Sequence, residues 1–304
     1  MAKFQVNILG CGSATPTPRH NPSSQIVDFR DNLMMIDCGE GAQSMMRRMQ
    51  LKFARLNHIF ISHLHGDHCF GLPGLLSTLG LHERTGRLTV HLPAEGLEAM
   101  KSFTDYFIRE CSFDIVYQPI ERGGGLLLDT PSLQVSAFPL YHRVPCYGFL
   151  MSEKPKPRHL RGDMVRFYNI PVSRLQSIKE GADFVTDDGR VIPKAVLTSD
   201  PDPSVSYAYC SDTMFDPRVA ESIRGVDTVY HEATYANDLA QNAHERGHST
   251  AGEAGRIAAL AGAKRLIIGH YSKRYETPDL LLSQAREEFP NVIAANEGLK
   301  IDLL

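Results

Sequence analysis

The sequence predicts an α/β fold built in layers, with sheets packed together and helices outside. Early apolar runs follow one another as strands, whereas later ones alternate with helical stretches. The chain has 304 residues, 42% hydrophobic and 22% charged, which is enough to bury a sizeable core and too apolar for disorder. No internal repeat of solenoid length runs through it. Residues 4–10 read as a strand, followed by a loop rich in turn formers, CGSATPTPRHNPSS. Residues 25–29 and 33–36 are two more strands, joined by a hairpin-like turn at Arg30-Asp31-Asn32. Asp37-Cys38-Gly39-Glu40 then leads into a helical stretch at 43–49. Residues 58–62 form a short apolar strand, 72–82 a helix, 88–92 a strand and 97–108 a helix. Strands at 133–139, 147–151 and 207–210 come next. The last part reads as a strand at 226–230, an Ala-rich helix at 250–261, a strand at 265–268 and a closing strand at 299–303.

Composition excludes several function classes. Lys and Arg number 32 against 35 Asp and Glu, so the net charge of -3 rules out nucleic-acid binding through bulk positive charge, though not through a local patch. No stretch approaches the ~18 apolar residues of a membrane span, and the opening MAKFQVNILG lacks a secretory apolar region. Cys11, Cys38, Cys69, Cys111, Cys146 and Cys210 lie far apart with no CxxC. The expectation is a reduced, cytoplasmic protein without a disulfide framework or a Cys-type zinc site.

One segment departs from this balance. Between Lys154 and Lys179, seven basic residues (Lys154, Lys156, Arg158, Arg161, Arg166, Arg174, Lys179) meet one acid, Asp163. Clustered cations release counterions from a polyanion, which fits an arm that grips phosphates; a solvated loop is the alternative.

The chemistry is concentrated in Ser62-His63-Leu64-His65-Gly66-Asp67-His68, directly after an apolar strand. Zinc binds imidazole nitrogen and carboxylate oxygen at ~2.0–2.2 Å. In an extended strand His63 and His65 point the same way, and Gly66 lets the chain turn so that Asp67 and His68 reach a second ion. Two ions need further ligands from other strand ends. His142, Asp212 and His270 each sit just past an apolar run. The count closes with His63, His65 and His142 on one ion, Asp67, His68 and His270 on the other, and Asp212 as the bridge.

This order of ligands resembles the metallo-β-lactamase superfamily. More narrowly, the chain resembles the short form of the ribonuclease Z family, through SHLHGDHCFGLPGLL, GCGSATPTPRHNPSS, HEAT at 231–234, HST at 248–250 and GHYS at 269–272. The opening loop departs from the usual family wording, with His20 between Arg19 and Asn21. The resemblance implies a four-layer αβ/βα sandwich, one domain over 1–304, with an inserted flexible tRNA-binding arm at 151–188. It implies two zinc ions per subunit, with manganese or iron as alternatives, acting on precursor tRNA. It also implies a homodimer in which one subunit's arm grips the tRNA held in the other's cleft. Paired divalent ions can clamp a phosphodiester and activate water at neutral pH. Asp67 is the candidate general base. The family assigns protonation of the leaving ribose 3′-oxygen to the position of His248, oriented by Glu232, leaving a tRNA 3′-hydroxyl and a trailer 5′-phosphate. His231 reads as structural. Lys154, Lys156, Arg158, Arg161 and Arg166 are the candidate tRNA contacts of the arm. The competing reading is another hydrolase of the same fold acting on a small phosphodiester or other ester.

Overall fold

The computed structural model describes residues 3–82, 84–108 and 112–304; Cys111 lies outside the described residues. The chain first builds β1 (Phe4–Gly10), β2 (Ser24–Phe29), β3 (Asn32–Cys38), β4 (Leu56–Phe60), β5 (Leu88–Pro93) and β6 (Ile115–Ile120). Helices α1 (Ala42–Arg48), α2 (Gly66–Cys69), α3 (Leu72–Leu81) and α4 (Leu97–Phe107) connect them. These six strands form one sheet in sequence order, antiparallel from β1 to β3 and parallel from β3 to β6. Neighbouring residues alternate between its faces. Ile8, Val27, Met34 and Ile36 enter the core between the sheets, while Leu9, Ile26 and Met35 pack outward with Met46, Leu72 and Leu76. A sheet buried on both faces needs apolar residues at every position, as β3 shows with Leu33 to Ile36 all buried.

The second sheet begins with β7 (Gly125–Asp129), β8 (Leu133–Leu140) and β9 (Cys146–Glu153), all antiparallel. An insert follows, with β10 (His159–Leu160), α5 (Gly162–Phe167), α6 (Val172–Lys179), β11 (Phe184–Val185), β12 (Val191–Ile192), α7 (Lys194–Leu197) and β13 (Thr198–Ser199). The main sheet resumes at β14 (Ser206–Cys210), then β15 (Thr228–Glu232), β16 (Arg265–Gly269) and β17 (Val292–Ala294). Helices α8 (Pro217–Ser222), α9 (Ala240–Arg246), α10 (Ala251–Ala261) and α11 (Asp279–Glu288) accompany these strands. Finally β18 (Lys300–Asp302) returns to pair with β1, as the closing strand was expected to do. Two seven-stranded sheets thus face each other, the mixed α/β layering that the sequence predicts. The ends of β4, β8, β14 and β16 open on one edge, where loops carry side chains without disturbing the core.

Several local expectations are corrected. Strand β4 stops at Phe60 rather than Ser62, because the Ser62 amide turns away to the Asp37 carboxylate at 2.7 Å. Gly66 opens helix α2 instead of making a turn. Strand β15 starts two residues later than expected, which puts His231 and Glu232 inside the sheet. Strands β6, β7 and β17 and helix α11 escaped the sequence pattern. β6 and β7 are edge strands half open to solvent and carry little apolar alternation.

The insert is a small packed unit rather than an extended loop. Ile170, Ile178, Phe184, Ile192 and Leu197 form their own core. β11 pairs with β12 across the expected boundary at residue 188, and β10 pairs with β13, so the unit runs over 154–205. Over that full length nine basic residues face seven acids.

Candidate metal centre

The histidine-rich run leaves β4 in extended backbone and turns into α2, with His65 immediately before the helix. His63 Nε2 lies 3.0 Å from His65 Nδ1, and His142 Nε2 lies 3.3 Å from the same nitrogen. Asp212 Oδ2 approaches His63 Nε2 at 3.6 Å and His142 Nε2 at 4.0 Å. On its other side Asp212 Oδ1 is 3.4 Å from His68 Nε2 and 3.2 Å from His270 Nε2. Asp67 Oδ2 faces the same two nitrogens at 3.5 and 3.6 Å. All seven predicted ligands therefore converge, His63, His65, His142 and Asp212 in one group and Asp67, His68 and His270 in another, with Asp212 Oδ1 also turned to His68 and His270; Asp212, His248 and His270 form an overlapping third group. Four ligands bound at ~2.05 Å in a tetrahedron stand about 3.3 Å from one another, so the spacings suit a cation in each group.

The polar bookkeeping agrees. His68 Nε2, His270 Nε2 and Asp212 Oδ1 are buried with no hydrogen-bond partner. An orphaned buried polar atom is costly, and here three such atoms face each other.

Known proteins resemble the chain over its whole length. It is 49% identical to a Bacteroides fragilis protein and 52% identical to a Parabacteroides distasonis protein, each called Ribonuclease Z and each covered in full by the alignment. The chain belongs to the ribonuclease Z family. Human tRNase Z, short form, shares the fold with a TM-score of 0.72 and 25% identity, over 99% of both chains. A metallo-β-lactamase fold protein, YhfI from Bacillus subtilis, superposes with a TM-score of 0.70 at 18% identity over 99% of both chains. A family model described as anti-Pycsar protein Apyc1 matches residues 4–102, about a third of the chain.

In this ribonuclease Z family member a further layer orients the histidines. His68 donates Nδ1–H to Asp37 at 2.7 Å, and His142 donates Nδ1–H to the Gly247 carbonyl at 2.6 Å. His63 Nδ1 sits 3.0 Å from the Ser62 hydroxyl. Spending Nδ1 this way leaves Nε2 for a cation, the usual design of histidine ligands. His65 is the exception and turns Nδ1 inward. Gly247 has a φ of 77°, and a side chain there would meet His142 Nδ1 at 2.7 Å. Only glycine satisfies both demands.

Asp37 escaped the sequence reading, which took it as the start of a helical approach. It is fully buried and also accepts from the Ser62 amide and hydroxyl and from the Tyr209 hydroxyl. The missed signal was the one used for Asp212, a carboxylate just past an apolar run. Ala14, Asp37 and His270 all have left-handed backbone, with φ of 63°, 55° and 59°. Such strain outside glycine costs on the order of 1–3 kcal/mol each and persists where surroundings over-determine it. The Ala14 amide donates to Asp67 Oδ2 at 2.7 Å, tying the opening loop to the ligand set. The loop itself is pinned at His20, whose Nδ1 meets Glu297 at 2.9 Å; Cys11 Sγ lies 3.5 Å from that nitrogen. Cys11, His20 and Glu297 thus form a further group of ligand-type side chains.

Beside the two groups, Glu232 accepts from His248 Nδ1 at 2.9 Å and from the Thr213 amide at 2.8 Å. Its other oxygen accepts from the Thr234 hydroxyl, which itself lies 2.8 Å from His270 Nδ1. Because the hydroxyl donates to the carboxylate, His270 must donate Nδ1–H to Thr234, which leaves its Nε2 for the Asp212 side. His248 precedes α10, whose cap is Thr250 in a reciprocal box with Glu253. The cap explains Thr250 and leaves His248 free for chemistry. His231 is buried, with Nδ1 spent on the Glu232 carbonyl, and lies outside both ligand groups.

Charge in the cleft is set by its carboxylates. Burial disfavours a charged His68, yet Asp212 and Asp37 outweigh it and push the imidazole up to about 10. His248 is likewise opposed by burial and carried up to about 9 by Glu232 and Asp212. His63, buried among three other histidines, is lowered by desolvation and then by His68, His142 and His65. Burial works to raise Asp67, but the His270 hydrogen bond and the charges of His68 and His270 hold it well below the usual carboxylate range. The site is anionic and demands positive charge, supplied by protons or by cations.

Thr234→Val keeps the shape and removes the hydroxyl between Glu232 and His270. Losing such an outer contact weakens metal affinity by about 10–100-fold, which calorimetric zinc titration of the chelated chain will read. Thr234→Ser should restore it; wild-type affinity in the valine variant would remove Thr234 from this role.

Proposed function

We propose that the chain is the endoribonuclease that removes the 3′ trailer from precursor tRNA, leaving a tRNA 3′-hydroxyl and a trailer 5′-phosphate. The observation that carries this reading is the double ligand group sharing Asp212, with Glu232–His248 beside it, in a chain half identical to proteins named Ribonuclease Z over full length.

His63, His65, His142 and Asp212 would hold one divalent cation, and Asp67, His68, His270 and Asp212 the other. Two zinc ions per subunit suit this donor set, with manganese or iron as alternatives. Such cations, when bound, neutralise phosphate charge and acidify water. The chain's own residues do the rest. Asp37, Gly247, Ser62 and Thr234 orient the imidazoles. Asp67 serves as ligand; with its carboxyl held well below the usual carboxylate range it is a weak base, which argues against the general-base role expected for it. His248 is held by Glu232 through Nδ1 and offers its other nitrogen to the leaving 3′-oxygen. Its raised basicity keeps it protonated at neutral pH, as a general acid must be.

The insert would contact tRNA through its exposed, unpaired arginines. At its root Lys154 pairs with Asp129, Lys156 with Glu153, Arg158 with Asp200 and Arg161 with Asp163. Four of the five expected contacts thus have acidic partners to give up. Arg166 and Arg174 have none among the described residues and are exposed, near exposed Phe167 and Val172. The double change Arg166→Ala, Arg174→Ala should raise KM for tRNA and lessen its log–log salt slope by about one per lost phosphate contact. An unchanged slope would take these two arginines out of tRNA binding. Exposed Phe70, Phe103 and Phe107 beside the cleft support a homodimer. No described helix is long and apolar enough to cross a membrane; a cytoplasmic enzyme is proposed on the reduced, widely spaced cysteines.

The deciding experiment sets a 3′-extended tRNA transcript beside bis(p-nitrophenyl) phosphate, with and without chelator. Chelator-sensitive cleavage of the transcript at the trailer junction is expected. Turnover of the small diester alone would favour a different hydrolase of this fold.

A further inference from the structure

Cations are spent unevenly over this molecule. Those at the root of the insert are paired with acids. At the rim of the metal cleft the opposite holds for two arginines. Arg143 follows His142 directly and is exposed. Its Cγ and amide lie against Gly247, so close that a side chain on Gly247 would meet both at 3.3 Å. Gly247 is in turn the neighbour of His248.

Arg274 comes from the loop after His270 and is also exposed. Its Cζ stands 4.9 Å over the Tyr235 ring, and its Nε donates to the Ser272 hydroxyl at 3.1 Å. The Tyr235 ring lies 6.1 Å from the His248 ring. Neither arginine has a carboxylate partner among the described residues. The two approach His248 from the His142 loop and from the His270 loop.

An unpaired guanidinium gives up no partner when it binds phosphate, and its planar fork suits two phosphate oxygens. Arg274 is also held in place by its stack, which lowers the entropy lost on binding. We propose that Arg143 and Arg274 are substrate-binding residues that grip the backbone phosphates on either side of the scissile one. The cleft rim then recognises a polynucleotide directly, apart from any contact made by the insert. This rests on the ribonuclease reading above and names residues that carry it out.

The test uses Arg143→Gln and Arg274→Gln in the zinc-loaded enzyme, with metal content measured alongside. Each is expected to raise KM for the 3′-extended transcript by about tenfold and to lessen the log–log salt slope by about one. Turnover of bis(p-nitrophenyl) phosphate, which has no flanking phosphate, should stay within about twofold of wild type. Arg→Lys at either position should keep the salt slope and recover part of the affinity. Wild-type KM and slope in both variants would overturn the proposal. So would equal loss on both substrates, which would assign the arginines to folding or metal binding. Affinity for a short labelled RNA, read by fluorescence anisotropy, decides this inference even if the enzyme fails to cut tRNA; that failure would instead overturn the proposed function.

Discussion

Asp212→Ala should lower transcript cleavage by roughly a thousand-fold or more, a barrier increase of about 4 kcal/mol. Asp212 reaches both ligand groups: its two oxygens lie within 4.0 Å of His63, His142, His68 and His270. Removing it takes one anionic donor from each cation position at once. It also leaves four buried imidazoles with less charge to balance them. Bound zinc should therefore fall together with rate, for the transcript and for bis(p-nitrophenyl) phosphate alike. Circular dichroism will show whether the fold survives, as is expected, because the cores on either side of the sheets do not include Asp212. A well-folded Asp212→Ala enzyme that retains metal and cuts at a near wild-type rate would sink the shared-carboxylate centre.

His248→Ala should separate the two substrates. His248 comes within reach of Asp212 and His270, but its Nδ1 is held 2.9 Å from Glu232, and it is not one of the seven side chains proposed to hold metal. Metal content should thus remain unchanged. A positioned general acid contributes typically ~10²–10⁴-fold, and that loss is expected on tRNA, whose leaving 3′-oxygen is a poor leaving group without a proton. p-Nitrophenolate departs readily unprotonated, so the small diester should be nearly unaffected. Glu232→Gln should show the tRNA defect and add a weaker metal affinity, because Glu232 also reaches His270 through Thr234. Equal losses on the diester and the transcript in His248→Ala would assign the histidine to the metal centre instead of the leaving group.

How far the site could be read in advance differs from residue to residue. His63, His65, Asp67 and His68 are legible because a short polar run after an apolar strand states its own spacing. His142, Asp212 and His270 were reachable through the same signal, a ligand-type side chain past the end of an apolar run, and all three arrive where the count required. Asp37 carries that signal too, yet its part shows only when His68, Ser62 and Tyr209 come to its oxygens from distant segments. Thr234 and Gly247 act through single hydrogen bonds across 36 and 105 residues, which no local pattern can announce.

The arm shows the reverse case. A window of like charge suggested a phosphate grip, but the fold returned acids from beyond the window, and from the neighbouring strands, to its root. Local chemistry along the chain, in alternating apolar runs and imidazole spacing, determined the layered sheets and the ligand types, because these depend on side-chain direction over a few residues. Which carboxylate orients which ring, and which cations stay unpaired, was decided only by tertiary structure, since both depend on groups brought together from far along the chain.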